Sequence, residues 1–203
     1  MAEKLRRIIR STIMSDTNKV RFGLSNVYIG TYTDNNGSVT LGTAKAQKGA
    51  VNLTLDPELE ENVFYADNVK YYVSAMDNGF SGSMEVAKFD DDIKTGFLGY
   101  VALTGGGIAH VKNAVKPKVY IMGQAEGDAK SRRFIIYNVT LGQIQFEAAT
   151  TEDTVEPATE TIDINVTGDN KTGITIAEYL EGEGAYDTLF SNPPVPALPG
   201  ESS

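Results

Sequence analysis

Short runs of β-branched and aromatic residues, separated by Gly, Asn and Asp, recur along the chain and read as strands. Residues 20–30 make the first. Asp34-Asn35-Asn36-Gly37 predicts a tight hairpin, because Asn-Gly suits the positive-φ positions of such a turn, and Val39-Thr40-Leu41 returns from it. Residues 50–55 alternate strictly, which predicts Val51, Leu53 and Leu55 on a core face with Asn52 and Thr54 outward; Asp56-Pro57 is expected to end that strand. An acidic stretch with Glu58, Glu60 and Glu61 follows, then a short apolar run over 63–66, a turn at Asp67-Asn68, a strand over 69–74 and a turn at Asp77-Asn78-Gly79. Residues 82–89 alternate again, with Met84, Val86 and Lys88 on one side.

Asp90-Asp91-Asp92 ahead of Ile93, and Gly99 behind Leu98, are the start and stop signals of a short helix over 93–99, with Ile93, Phe97 and Leu98 on one face to pack on the sheet. Gly105-Gly106-Gly107 opens a flexible connection to a strand over 118–124, and Glu126-Gly127-Asp128 turns the chain again. Residues 132–140 carry Phe134 and Ile136 on one face and Ile135 and Tyr137 on the other, the mark of a strand buried on both sides. Residues 144–148, 159–166 and 174–177 complete the strands, with a turn at Gly168-Asp169-Asn170 and a last helical turn over 185–190. Four prolines after Asn192 preclude helix or interior strand and predict an extended arm or disorder. The expected organisation is an N-terminal arm or extension over 1–18, one mainly-β domain over 19–180, and an acidic, Pro-rich arm over 181–203.

Charge changes this picture. The formal net charge is -9, which argues against a protein that grips nucleic acid by neutralising phosphates. The excess is local: residues 147–203 hold one basic and 12 acidic side chains, whereas residues 19–146 hold 13 of each. Such a tail serves solubility or repels a polyanion. Residues 1–18 hold four basic and two acidic side chains, and the basic ones interrupt Leu5, Ile8, Ile9 and Ile13. That pattern lacks the unbroken apolar stretch of a signal peptide. It fits a short amphipathic helix, a disordered arm, or a true start at Met14. No run approaches the roughly 20 apolar residues that span a bilayer, so no membrane partner is expected.

Candidate chemistry is sparse. The chain has no Cys and a single His, His110, so it offers no disulfide, no thiolate and no zinc site built from nitrogen and sulfur ligands. His110 has no acid or nucleophile in evident register and reads as structural or exposed. The glycines at 105–107 are not followed by Gly-Lys-Ser/Thr, so they form no phosphate cradle. Asp90, Asp91 and Asp92 point in different directions, as consecutive carboxylates do, and serve the helix start better than a cation. Lys130, Arg132 and Arg133, like Lys112, Lys116 and Lys118, read as solvated positions or contacts for an anionic group. No catalytic, cofactor-binding or metal site is expected, and no cofactor.

An ordered series of segments runs from Val20-Arg21-Phe22-Gly23-Leu24-Ser25-Asn26-Val27 through Gly49-Ala50-Val51-Asn52-Leu53-Thr54-Leu55-Asp56-Pro57, Phe64-Tyr65-Ala66-Asp67-Asn68, Tyr71-Tyr72 and Phe80-Ser81-Gly82-Ser83-Met84 to Leu98-Gly99, Lys116-Pro117 and Arg133-Phe134-Ile135-Ile136-Tyr137-Asn138. This series resembles the major tail proteins of phages with long, non-contractile tails. The resemblance spans residues 19–167 and carries no single decisive motif. It implies a β-sandwich or barrel of the tail-tube type with one short flanking α-helix. It also implies a virion protein of the tail, assembled in the host cytoplasm. Hexameric rings would stack into a tube around tape-measure protein, with a tail terminator at the end and DNA passing transiently. Residues 1–13 and the stretch after Gly168 depart from the family pattern.

Two expectations follow for this chain. The segment with Asp56, Glu58, Glu60, Glu61, Phe64, Tyr65, Asp67 and Asn68 is too long for a tight hairpin and too acidic for a core, and is expected to reach a neighbouring subunit; the alternative is an ordinary surface loop. An acidic lumen would let DNA slide, because the polymer keeps its counterions. Other classes stay open: a tail terminator, the tube of a phage-derived bacteriocin, or a carbohydrate-binding β-sandwich, which the absence of Trp disfavours.

Overall fold

The computed structural model describes residues 23–66, 69–126, 131–145 and 158–199. Within them the chain forms β1 (Leu24–Asn35), β2 (Ser38–Leu41), β3 (Lys45–Gln47), β4 (Ala50–Ala66), β5 (Val69–Val86), α1 (Asp91–Phe97), β6 (Tyr100–Ala102), β7 (Ile108–His110), β8 (Val119–Ala125), β9 (Arg132–Leu141), β10 (Glu160–Val166) and β11 (Ile176–Tyr179). The fold is mainly β and β-sandwich-like: one antiparallel sheet in the order β2-β1-β8-β9-β10-β5-β4, with β3 beside β1, β11 beside β9, and β6–β7 as a separate hairpin.

Hydrophobic alternation puts two cores on this sheet. Val27 and Ile29 of β1, Val119 and Ile121 of β8, Ile162 and Ile164 of β10, and Met84 and Val86 of β5 share the larger one with Phe89, Ile93, Phe97 and Leu98. Three strands separate β1 from β5 in the sheet, so their common core means that the sheet curls on itself. The intervening side chains Tyr32, Tyr120, Met122, Ile135 and Tyr137 face the other way and bury against Leu189. β8 and β9 are therefore covered on both faces, and their near-continuous apolar sequence is the physical requirement of that position. β9 changes face at Asn138, whose φ of 51° lets Ile136 and Val139 point into the same core. The Asn138 amide answers its own burial by donating to the Gly168 carbonyl at 2.6 Å.

Ile93, Phe97 and Leu98 are buried in the larger core, with Asp91 and Asp92 in the first helical turn where the dipole favours them. Lys94, also buried, pins α1 to β10: its Nζ lies 2.8 Å from Glu160 Oε1, while Glu160 Oε2 accepts the Phe89 N–H at 2.7 Å. The β1–β2 turn has Asn36 and Gly37 at φ 54° and 86°, and the Asp34 carboxylate accepts the Gly37 N–H at 2.7 Å.

Several local expectations are overturned. Asp56-Pro57 does not end a strand; β4 runs on to Ala66. Proline is admitted at a sheet edge or a bulge, and β4 is both last in the strand order and shifted in register between Pro57 and Leu59. Asp77-Asn78-Gly79 is not a turn but a kink inside β5. Gly79 has φ 95°, and a Cβ there would lie 2.0 Å from the Val166 carbonyl oxygen, so neither the angle nor the space admits a side chain. Val51 is 53% exposed rather than in the core, because a bulge between Ala50 and Asn52 rotates it out. Gly105-Gly106-Gly107 is the tip of the β6–β7 hairpin. Residues 142–145 are not strand, and residues 185–190 form turns rather than helix. The arm over 1–18, strand residues 20–22, Lys130 and residues 146–148 lie outside the described residues.

The segment over 181–199 covers the smaller core. Phe190 stacks on Tyr28 with ring centroids 5.1 Å apart, and the Tyr137 hydroxyl donates to the Pro194 carbonyl at 2.8 Å. Arg133 is held between the Tyr186 and Phe190 rings, at 4.0 and 4.8 Å from their centroids, and donates to the Tyr186 carbonyl at 2.5 Å. Arg132 pairs with Glu178 at 2.6 Å. Of the expected basic cluster, Arg132 thus meets a carboxylate, one of the two expected readings, and Arg133 clamps this segment.

Candidate functional site

β4 and β5 are far longer than their neighbours need. β10 pairs with β5 from Val86 only as far as Phe80, opposite Val166. Beyond that level β5 pairs with β4 alone, from Leu59↔Asp77 out to Ala66↔Val69. At the usual rise per residue, residues 59–66 and 69–77 form a two-stranded ribbon extending about 25 Å past the end of β10. A ribbon of two strands has no layer of its own to bury against and is marginally stable in water. Its sequence nonetheless carries Val63, Phe64, Tyr65, Val69, Tyr71, Tyr72 and Val73, a composition suited to a packed strand.

Four of the expected contact residues fall on this ribbon and two precede it. Asp56 lies at its base, opposite Ser81; Glu58 falls at the register shift; Glu60, Glu61, Phe64 and Tyr65 pair with Met76, Ala75, Tyr72 and Lys70; Asp67 and Asn68 lie outside the described residues. Asp56, Glu58 and Glu60 are exposed, and Asn78 reaches Glu60 at 3.5 Å. The segment is therefore not a loop but half of a paired ribbon, with register shifts at Pro57/Leu59 and Phe64/Tyr65. The strand expected over 69–74 is its partner, and two apolar residues escaped the sequence reading: Leu59 is 65% and Met76 58% exposed. Directly opposed residues share a face, so Leu59 lies on the Asp77 face and Met76 on the Glu60 face. The signal that could have found the ribbon was the pair of alternating runs flanking Asp67-Asn68, two residues apart.

Where the ribbon meets the sheet, β4 stands off from β1, β9 and β11. The cleft of about 400 Å³ left there is lined by Leu24, Leu53, Leu55, Phe134 and Ile176. Under the other face, a buried polar cluster ties the chain's second half to its first. The Tyr32 hydroxyl donates to Asp169 Oδ1 at 2.7 Å, and Thr172 donates its N–H and its hydroxyl to Oδ2, each at 2.7 Å. Burial alone would raise the Asp169 carboxyl, but these hydrogen bonds outweigh it and hold the group below the ordinary carboxylate range. Burial first, then the Asp169 charge, pushes the Tyr32 hydroxyl well above its ordinary value; burial does the same to Tyr137. The cluster holds its protons and its charge in fixed places, which is the behaviour of a clasp.

The remaining candidates are accounted for locally. His110 packs edge-on against Tyr100 at 5.3 Å. Lys116 donates to the Leu141 and Gly142 carbonyls, with burial lowering its pKa, and Lys118 donates to Thr140 at 2.7 Å. Among the described residues, no group of three or more His, Asp or Glu side chains could hold a metal ion, and no helix is long and apolar enough to cross a membrane. No protein-family model matches the chain, and no curated protein matches it.

Proposed function

We propose that this chain is the repeating subunit of a phage tail tube, a structural virion protein that polymerises as stacked hexameric rings and forms the conduit for DNA ejection. The observation that carries the reading is the ribbon of residues 59–66 and 69–77. It projects past the end of β10 with strand-forming sequence, exposed Leu59 and Met76, and β4 without a second ladder partner among the described residues. Such an edge is a template for another chain, and a subunit that uses it to bind a copy of itself turns a liability into a joint. A tube needs head-to-tail contacts that do not close along the axis, which an element projecting from one end supplies.

The ordered resemblance to major tail proteins gives the particular assembly, with tape-measure protein inside during growth, a terminator at the end, and DNA only in transit. The exposed carboxylates of Glu181, Glu183 and Asp187 fit a surface that does not hold DNA. Negative-stain microscopy of the purified protein over a range of concentrations tests the reading. Long hollow tubes or uniform six-fold rings are expected. A compact monomer at every concentration would overturn it.

A further inference from the structure

If one end of the subunit offers a ribbon, some other surface of a neighbouring copy must receive it. The segment between α1 and β8 has the properties of that receiver. It presents Val101, Leu103, Val111 and Val115 to solvent, the last 97% exposed. Single exposed apolar side chains need no explanation, but four within fifteen residues are a local concentration of them. Val101 and Ala109 are direct partners in the β6–β7 hairpin, and strand alternation puts Leu103 on the same outward face, opposite Tyr100, which packs on the larger core.

The lobe is built to hold its shape. The Leu103 N–H donates to the Gly107 carbonyl at 3.0 Å, the Ala114 N–H to the Val111 carbonyl at 3.2 Å, and Lys116 fastens the base of the lobe to the end of β9.

Charge and position both match the ribbon. No acidic side chain occurs between Asp92 and Glu126, in a chain with a net charge of -9, and Lys112 is exposed on the lobe. The ribbon and its base carry Asp56, Glu58, Glu60, Glu61 and Asp77 against the single base Lys70. β5 begins in the ribbon at Val69 and runs out of it to Val86. β9 runs in the same direction as β5, because each is antiparallel to β10, so Leu141 marks the end away from the ribbon. Lys116 binds the Leu141 carbonyl there. The base of the lobe is therefore anchored at the end of β9 away from the ribbon, an arrangement that an open head-to-tail series can use.

We propose that the lobe of residues 100–115 receives the ribbon of a second copy of this chain, with Val101 and Leu103 covering Leu59 and Lys112 facing Asp77 on that same face of the ribbon. The proposal rests on the assembly reading above and names the partner surface of that same joint. Ribbon-to-ribbon pairing is disfavoured because it would set the acidic edges of two copies against each other.

Two variants of the full chain test it by sedimentation velocity: a lobe variant, Val101→Asp with Leu103→Asp, and a ribbon variant, Leu59→Asp with Met76→Asp. All four positions are exposed, and far-UV circular dichroism with a thermal melt checks that each variant folds as the wild type does. The wild type is expected to grow, each variant alone to stop at a limited species, and an equimolar mixture to form a species of twice that mass and grow no further. A lobe variant that grows like the wild type overturns this inference and leaves the assembly reading standing. Two arrested variants whose mixture does not double also overturn the pairing. A wild type that stays monomeric at every concentration overturns both.

Discussion

β8 and β9 on the one hand, and the outer halves of β4 and β5 on the other, are made of the same β-branched and aromatic residue types in the same antiparallel geometry. They differ in what covers them. Tyr120, Ile121, Met122, Ile135 and Ile136 are each at most 1% exposed, because α1 and its core close one face and residues 181–199 close the other. The outer ribbon has no third strand among the described residues, and Leu59 and Met76 stand in solvent. Strand propensity alone does not stabilise a ladder; burial against neighbours does. A chain that keeps strand-forming sequence where it has no neighbour of its own is suited to borrow one.

Truncation separates the two regions most sharply. Ile164→Ala empties part of the larger core and is expected to cost about 2–5 kcal/mol in urea denaturation. Gly79→Ala acts where the ribbon leaves the sheet. Its methyl group would meet the Val166 carbonyl at a positive φ, for an expected loss of about 1–3 kcal/mol and earlier opening of the β5–β10 ladder in hydrogen exchange.

Tyr32→Phe removes a donor from the buried Asp169 carboxylate, at an expected cost of about 1–2 kcal/mol near neutral pH. Its pH dependence carries more information. The raised Tyr32 and Tyr137 hydroxyls stay protonated in the folded chain, whereas the unfolded chain releases those protons near pH ~10. Their contribution is thus complete below that pH and lost as pH rises above it. The depressed Asp169 carboxyl contributes above its ordinary value near ~4 and is lost as pH falls through its lower folded value. Denaturation at pH 7 and pH 11 is therefore expected to show a smaller alkaline loss in Tyr32→Phe than in the wild type. Smallest of all is Leu59→Ala, which should change the stability of the single subunit by less than about 0.5 kcal/mol. An effect of core size at Leu59 in the unassembled subunit would break the comparison.

The sequence made the covered region legible and blurred the uncovered one, for a physical reason. The double-faced apolar run of β9, the Asn36-Gly37 hairpin and the acidic start of α1 are local signals that tertiary structure reinforces. Pro57 and Asp77-Asn78-Gly79 carry the chemistry of turns, and the same chemistry serves an edge strand and a kinked strand. What decides between them is distant in sequence: the register of β4 on β5, and the Val166 carbonyl against Gly79. The acidic contact residues were visible as a group, but their placement on a ribbon depended on pairing with residues 69–77, which a turn assigned at 77–79 concealed. β6 and β7 are three residues each, too short for alternation to register. The docking of the Pro-rich segment follows from Tyr137 and Arg133, which sit some 50 residues earlier.

The central claim is that the ribbon gains its stability from another copy of the chain. Amide hydrogen exchange over residues 59–66 and 69–77, followed from dilute to concentrated protein with β8 and β9 as the internal standard, tests it most directly. Rapid exchange in the ribbon of the dilute subunit, slowing by orders of magnitude as the protein assembles while β8 and β9 stay protected throughout, is the predicted result. A ribbon already as protected as β8 and β9 in the dilute monomer, or one still exchanging freely in the assembled protein, would contradict the account.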